Sequence, residues 1–114
     1  MTNQFKEYQE RMSHNRSTLY HYFKDNGLEM RYTKINNRRY KVFIPPYKWD
    51  SAYLIVNDIR FTDWSGLIMF TNELVVRFDG GVTSSQVNIP YKCIEKIQVT
   101  DEVGVGYEEL YLNK

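Results

Sequence analysis

Apolar residues near the start of the chain recur at three- and four-residue steps, the spacing that places them on one face of an α-helix. They are Phe5, Tyr8, Met12, Leu19 and Phe23, with one longer gap in the middle. Asn15 lies in that gap among residues of poor helix propensity, and Gly27 follows the last turn as a residue that readily ends helices. The pattern therefore predicts a helical arm over residues 1–15 and a firmer helix, capped by Asn15, over residues 16–26.

After Gly27 the pattern changes to short runs in which apolar and polar residues alternate, as they do in half-buried strands. Such runs include residues 29–34, 39–45, 52–56, 67–71, 74–78 and 94–100. Asp79-Gly80-Gly81 is the strongest turn signal in the chain. One helix followed by five to seven mostly antiparallel strands indicates an α+β fold, in which the N-terminal helix packs on a strongly curved sheet or a small, partly open β-barrel.

Positive charge is concentrated in the first half of the chain, although the net charge of the whole chain is only +1. Residues 1–50 hold 10 Lys and Arg against 5 Asp and Glu, whereas residues 51–114 hold 5 against 9. The first half also contains a basic run with tyrosines interleaved, made of Arg31, Tyr32, Lys34, Arg38, Arg39, Tyr40 and Lys41. Small barrels bind single-stranded nucleic acid through such surfaces, but the isoelectric point near 7.8 is low for that class and makes nucleic acid the less favoured partner.

Residues that could carry catalysis are sparse. His14 and His21 are about 10 Å apart along the predicted helix, too far to share one metal ion. Cys93, the single cysteine, cannot form an internal disulfide, and its apolar neighbour Ile94 predicts a buried structural thiol. No apolar run is long enough for a transmembrane helix, and the N-terminus lacks the apolar core of a signal peptide. These features predict a non-enzymatic, cytoplasmic protein with no metal or other cofactor.

Five segments in the same order resemble the stringent starvation protein B (SspB) family, the adaptors of the ClpXP protease. They are the aromatic helix and its end at Leu19–Leu28, the apolar strand Ala52–Asn57, the turn Arg77–Gly81, the stretch Gln86–Pro90 and the apolar pair in Ile94–Ile97. Gly104 and Gly106 fall where the family has a glycine-rich bend before its last strand. The resemblance covers roughly residues 19–110.

The resemblance implies a single SspB-like peptide-binding domain over residues 16–114, built as a helix on an Sm-like barrel. It also implies capture of an extended peptide, the ssrA degradation tag, in a groove. The positions that match the groove are Asn57, Asp58 and Ile59 after the apolar strand, and Arg77 and Phe78 before the Gly-Gly turn. Phe78 would supply apolar contact, and Arg77 a charge-assisted hydrogen bond to the tag.

The resemblance further implies a homodimer, formed through Leu19, Tyr20 and Phe23 of the helix, and ClpX as a second partner. Members of the family reach ClpX with a long acidic C-terminal tail, whereas this sequence ends at Lys114 without such a segment. Both delivery of tagged proteins and sequestration of their tags are therefore open.

A competing resemblance points to pleckstrin-homology and GRAM domains, which bind lipids or proteins. It rests on Gly66–Leu74 and on Val87–Ile97, where a strand leads through Thr-x-x-Leu to an Ile-Pro-Tyr stretch. Those domains place their helix at the C-terminus, whereas the helix predicted here is N-terminal. The order of elements therefore favours the adaptor.

Overall fold

The computed structural model describes residues 3–46, 52–80, 83–101 and 108–112. One long helix comes first and short strands follow it. The elements are α1 (Asn3–Asp25), β1 (Glu29–Ile35), β2 (Arg38–Ile44), β3 (Tyr53–Val56), β4 (Ile59–Thr62), β5 (Gly66–Met69), β6 (Glu73–Gly80), β7 (Thr83–Pro90), a short 3-10 helix η1 (Tyr91–Cys93), β8 (Lys96–Thr100) and β9 (Leu110–Tyr111).

The helix α1 runs without interruption across the position where the sequence pattern predicts a boundary, between residues 15 and 16. The prediction that Asn15 caps a second helix is wrong, because Asn15 lies inside α1 and is only 1% exposed. Asn15 fills the gap in the apolar series, between Met12 and Leu19 on the buried face. The poor helix propensity of this segment is therefore outweighed by packing, as is common for helices in folded proteins.

The strands form two antiparallel sheets, which confirms the α+β prediction. Sheet A has the order β1-β2-β5-β6-β7, and sheet B has the order β4-β3-β8-β9. Within the described ranges no strand pair joins sheet A to sheet B, so the structure shows two sheets and no closed barrel. The strand β4 was not predicted, and it lies at an edge of sheet B.

The hydrophobic core lies between the two sheets and under the helix. A single cluster of buried side chains draws on α1, on the inner face of sheet A and on the inner face of sheet B. Its largest fully buried members are Tyr91, Phe23, Phe43, Leu19, Leu54 and Leu67. Because burial of apolar surface is the main favourable term in folding, this shared core holds the helix and the two sheets together.

Aromatic contacts fix the second half of α1 on the sheets. The rings of Phe23 and Tyr20 lie 5.4 Å and 5.5 Å from the ring of Phe43 on β2. The hydroxyl of Tyr22 accepts a hydrogen bond from the Val99 N–H at 3.2 Å and donates one to the Glu108 carbonyl at 2.8 Å. The helix is thus tied to sheet A by ring packing and to sheet B by a hydroxyl.

Two hairpins use two-residue turns with left-handed backbone. Asn36 and Asn37 join β1 to β2 with φ of 51° and 65°, and Asn57 and Asp58 join β3 to β4 with φ of 50° and 73°. Asparagine and aspartate tolerate this conformation better than other non-glycine residues. Of the turn predicted at Asp79-Gly80-Gly81, Asp79 and Gly80 still belong to β6, and Gly81 lies outside the described residues.

A further expectation from the sequence concerns the exposure of Cys93. The prediction that Cys93 is buried is wrong, because its thiol is exposed at the end of η1 while the neighbouring Ile94 is buried. Residues of a 3-10 turn do not alternate between two faces, so an apolar neighbour does not predict whether a residue there is buried.

None of the described helices is long and apolar enough to cross a membrane. Gly104 and Gly106 lie outside the described residues.

Tyr91 links η1 to the connection between β5 and β6. Its side chain is fully buried, its hydroxyl donates to the Phe70 carbonyl at 2.6 Å, and its N–H donates to the Asn72 carbonyl at 3.1 Å. Burial raises the pKa of the Tyr91 phenol above its usual range. The phenol therefore stays protonated in the folded protein under alkaline conditions that ionise a tyrosine in water.

We expect Tyr91→Phe to lower the free energy of unfolding by about 1–2 kcal/mol, because the Phe70 carbonyl loses its donor inside the protein. Urea denaturation followed by circular dichroism measures this change. Tyr32→Phe is the matched control, since Tyr32 is 50% exposed and the same substitution should change stability by less than about 0.5 kcal/mol. Equal effects of the two substitutions would contradict the assigned role of Tyr91.

The stability difference between the natural protein and Tyr91→Phe should also depend on pH. Above about pH 10 the unfolded chain releases the Tyr91 proton while the folded chain retains it, so the natural protein loses stability as pH rises. The Phe variant has no phenol at this position and lacks that loss. The gap between the two proteins should therefore narrow between about pH 10 and pH 11. A constant gap would contradict a raised pKa for Tyr91.

Candidate functional site

The two sheets approach each other without pairing at one margin, which we call the seam. It is formed by β4, the edge strand of sheet B, and by the end of β6 in sheet A. The last residue pair between β5 and β6 is Gly66 with Arg77. Beyond it, within the described residues, Phe78, Asp79 and Gly80 of β6 pair only with β7. The seam therefore has a strand edge without a paired neighbour on each side.

Apolar side chains line the seam on its core-facing side. Phe61 on β4 and Phe78 on β6 are half-buried, and their ring centroids lie 6.3 Å apart. Ile59 lies opposite the buried Val56, on the same face of β4 as Phe61, yet it is 61% exposed. An isoleucine on the core-facing side of a strand is normally covered. Its exposure leaves an uncovered apolar side chain at the start of β4, on the side of the strand that faces the core.

Arg77 and Phe78 are adjacent on β6, so their side chains project from opposite faces of sheet A. Phe78 faces the seam, whereas Arg77 lies on the outer face beside Gly66 and Gln86. The Arg77 carbonyl accepts hydrogen bonds from the Ser65 N–H at 2.8 Å and from the Ser65 hydroxyl at 3.2 Å. These bonds fix the strand at the point where β5 ends and the free edge of β6 begins.

Asn57 is occupied by contacts within the protein. Its Oδ1 accepts from the N–H groups of Glu95 and Lys96 at 2.8 Å and 3.1 Å, and its Nδ2 donates to the Cys93 carbonyl at 2.5 Å. These bonds join the β3–β4 turn to the start of β8. The amide of Asn57 thereby supports β4 and has its oxygen and nitrogen engaged, so its part in a groove is indirect.

Asp58 lies at the same turn and forms an ion pair with Lys96, with 2.7 Å between Oδ1 and Nζ. The hydrogen bond from Lys96 to Asp58 raises the pKa of the Lys96 ammonium above its usual range. Asp58 is exposed and lines a hollow of about 680 Å³ beside the first half of α1, together with Tyr8 and Lys92. The sequence-predicted residues thus divide into two groups, with Ile59 and Phe78 at the seam and Asp58 in the turn before β4, where it pairs with Lys96.

The helix residues that the resemblance assigns to a dimer lie mainly inside the protomer. Leu19 and Phe23 are both 0% exposed and belong to the core. Tyr20 is half-buried, and the Lys41 ammonium lies over its ring, with Nζ 4.5 Å from the ring centroid. Leu19 and Phe23 therefore have no surface to offer to a second copy, and Tyr20 alone of the three retains some.

Sequence reasoning missed two residues near the seam, Phe61 and Trp64. A usable signal was present, because Asn57-Asp58 between apolar runs is a two-residue hairpin signal and places a strand at Ile59. Trp64 lies in the connection that crosses from β4 to β5 and is 2% exposed. Its indole N–H has no hydrogen-bond partner among the described residues, which is an uncommon state for a buried donor.

The described residues contain no group of three or more His, Cys, Asp or Glu side chains that could hold a metal ion. The seam offers backbone N–H and C=O groups on unpaired strand edges, the apolar side chains of Ile59, Phe61 and Phe78, and the guanidinium of Arg77.

Comparisons with known proteins gave no match to any protein-family model, curated protein or solved structure.

We expect Asn57→Ala to lower the free energy of unfolding by about 2–4 kcal/mol. The substitution removes three hydrogen bonds and places alanine in left-handed backbone. Asn36→Ala is the matched control, since Asn36 has nearly the same φ, at 51°, and lies exposed at the tip of the β1–β2 hairpin. Asn36→Ala should lower the free energy of unfolding by about 1 kcal/mol, which is the cost of placing alanine in left-handed backbone.

Thermal and urea denaturation of both variants measure these costs. Equal destabilisation by the two substitutions would show that the contacts of Asn57 with β8 contribute nothing.

Proposed function

We propose that this protein is a non-enzymatic peptide-binding module similar to the SspB adaptors. In this proposal the two sheets correspond to an Sm-like barrel that is open at the seam. An extended peptide of the ssrA type enters the seam, and the protein modulates ClpXP proteolysis in the cytoplasm by delivering or sequestering tagged chains.

The observation that carries the proposal is the seam itself, where a strand edge of each sheet and an apolar lining occur together. Extended peptides bind proteins by adding a strand to an exposed sheet edge, with pockets for alternate side chains. Ile59, Phe61 and Phe78 supply apolar contact for such a strand.

A peptide strand beside the end of β6 would meet both residues that the resemblance singles out. Side chains of a strand alternate between faces, so one set of peptide side chains would pack near Phe78 and the other set near Arg77. Arg77 carries no ion pair among the described residues and could pair with a carboxylate of the peptide. The separation of Arg77 and Phe78 on two faces thus fits recognition of an extended chain better than recognition of a compact ligand.

Homodimer formation and contact with ClpX remain parts of the proposal that the resemblance alone supports. Since Leu19 and Phe23 are core residues, a second copy would have to contact Tyr20 and exposed parts of α1. The exposed stretch from Lys6 to Arg11 in the first half of α1 offers such a surface.

The direct test is fluorescence anisotropy of a labelled ssrA-tag peptide titrated with the protein, beside a scrambled peptide. We expect saturable binding of the tag, weakened at least about fivefold by Ile59→Ser and at least about tenfold by Phe78→Ala. Val87→Ser is the matched control, because Val87 is an exposed aliphatic residue on β7, on the opposite side of β6 from its unpaired edge, and should change affinity less than twofold. Ile59 is largely exposed, so its variant should fold normally.

Absence of tag binding at ~100 μM, or equal losses for Ile59→Ser and Val87→Ser, would overturn the proposed site. If the tag binds, degradation of a tagged reporter by ClpXP separates the two outcomes. Faster degradation indicates delivery and slower degradation indicates sequestration. An unchanged rate at saturating protein would remove ClpXP modulation and leave only peptide binding.

A further inference from the structure

A second concave surface lies between α1 and β2, beside the end of β5 that is farther from the seam. This cleft has a volume of about 510 Å³, and α1, β2 and the connection between β5 and β6 surround it. Its lining includes Arg16, His21, Arg39 and Lys41, with the hydroxyl residues Ser13 and Ser17. The seam residues take no part in it, so the cleft is separate from the proposed peptide site.

The cleft is strongly basic and lacks compensating charge. None of its lining residues is an aspartate or a glutamate. The ion pairs formed by the described residues join Arg31 to Glu29 and Lys96 to Asp58, and none involves Arg16, Arg39 or Lys41. Like charges held together by a fold repel each other. Such an arrangement is stabilised when an anion binds between them.

The positions of these cations follow from the fold. Arg39 and Lys41 alternate with Tyr40 and lie on the face of β2 that carries the buried Phe43. Tyr20 and Phe23 of α1 pack on Phe43. Lys41 and Arg39 follow on the same face of β2 toward the hairpin tip, where they line the cleft beside α1. Their charged groups lie over aromatic rings, with the Lys41 Nζ 4.5 Å from the Tyr20 centroid and the Arg39 Cζ 4.3 Å from the Tyr32 centroid. From the helix side, Arg16 reaches over to donate to the Thr71 carbonyl at 3.3 Å.

The shape and donors of the cleft favour a compact polyanion. Guanidinium, ammonium and hydroxyl groups are the donors that proteins use for phosphate, and residues of all three kinds line this one cleft. A carboxylate of a peptide would need only one arginine. A nucleic-acid strand would need cations spread along a track with free aromatic faces, whereas Tyr20 is already covered by Lys41, His21 and Phe43.

We propose that this cleft binds the phosphate chain of a small polyphosphate-bearing molecule, a nucleoside triphosphate or an inorganic polyphosphate, through Arg16, Arg39 and Lys41. The recognised chemistry is the chain of phosphates, which both classes of molecule share.

The test is isothermal titration of the full chain in phosphate-free buffer with sodium tripolyphosphate, ATP and adenosine. We expect saturable binding of tripolyphosphate and ATP, none of adenosine, and an affinity that falls steeply as salt is raised. The double variant Arg39→Gln/Lys41→Gln should weaken tripolyphosphate at least about tenfold, since two charge-assisted contacts are lost. Its fold is checked by its thermal unfolding curve.

The matched control is Arg31→Gln/Arg38→Gln, which removes the same net charge from the same hairpin on the opposite face of β1 and β2. It should weaken tripolyphosphate less than about twofold. Similar affinities for tripolyphosphate and ATP identify the phosphate chain as the determinant, and a clear preference for ATP identifies a nucleotide as the source; both support the proposal.

Three results would overturn it. They are no binding of tripolyphosphate at ~1 mM, equal losses in the two double variants, and tighter binding of a thymidine dodecamer or of poly-glutamate that Arg39→Gln/Lys41→Gln abolishes. The last result would reassign the cleft to a polymer.

Discussion

Every part of this fold depends on one shared hydrophobic core, because the two sheets are not joined to each other by backbone hydrogen bonds in the described residues. Side chains from α1, sheet A and sheet B meet in that core, and Phe23 and Phe43 link the helix directly to β2. Hydrophobic burial is non-directional, so it can hold two sheets together while leaving their margins unpaired. The seam between β4 and the end of β6 is the consequence.

The seam also explains why polar contacts concentrate around β4. A short edge strand gains few ladder hydrogen bonds, so its position relies on what holds its turn. Asn57 supplies that support by bonding to three backbone groups between Cys93 and Lys96, and the Asp58–Lys96 ion pair lies beside it. The unsatisfied indole N–H of Trp64 lies in the connection that leaves the other end of β4. A strand that is well supported at its turn and open along its outer edge is suited to receive another strand.

The helix and most strands could be predicted from the sequence, because their apolar residues repeat with clear periods of about 3.6 or two. Asn15 was misread, since propensity favours a cap there and only tertiary packing buries it inside α1. The exposure of Cys93 could not be read from Ile94, because a 3-10 turn follows neither period. At the site, the resemblance pointed to Ile59 and Phe78. Phe61 was missed together with β4, and the internal role of Asn57 depends on its contact with residues almost 40 positions away, which no local pattern encodes.

The central claim is that an extended peptide pairs with the strand edges of the seam. The most direct measurement is the NMR detection of contacts between isotope-labelled protein and an unlabelled ssrA-tag peptide. The account predicts intermolecular contacts to the side chains of Ile59, Phe61 and Phe78, together with slowed amide exchange on the outer edge of β4. Contacts confined to another surface, such as the outer edge of β1 or the basic cleft, would contradict it.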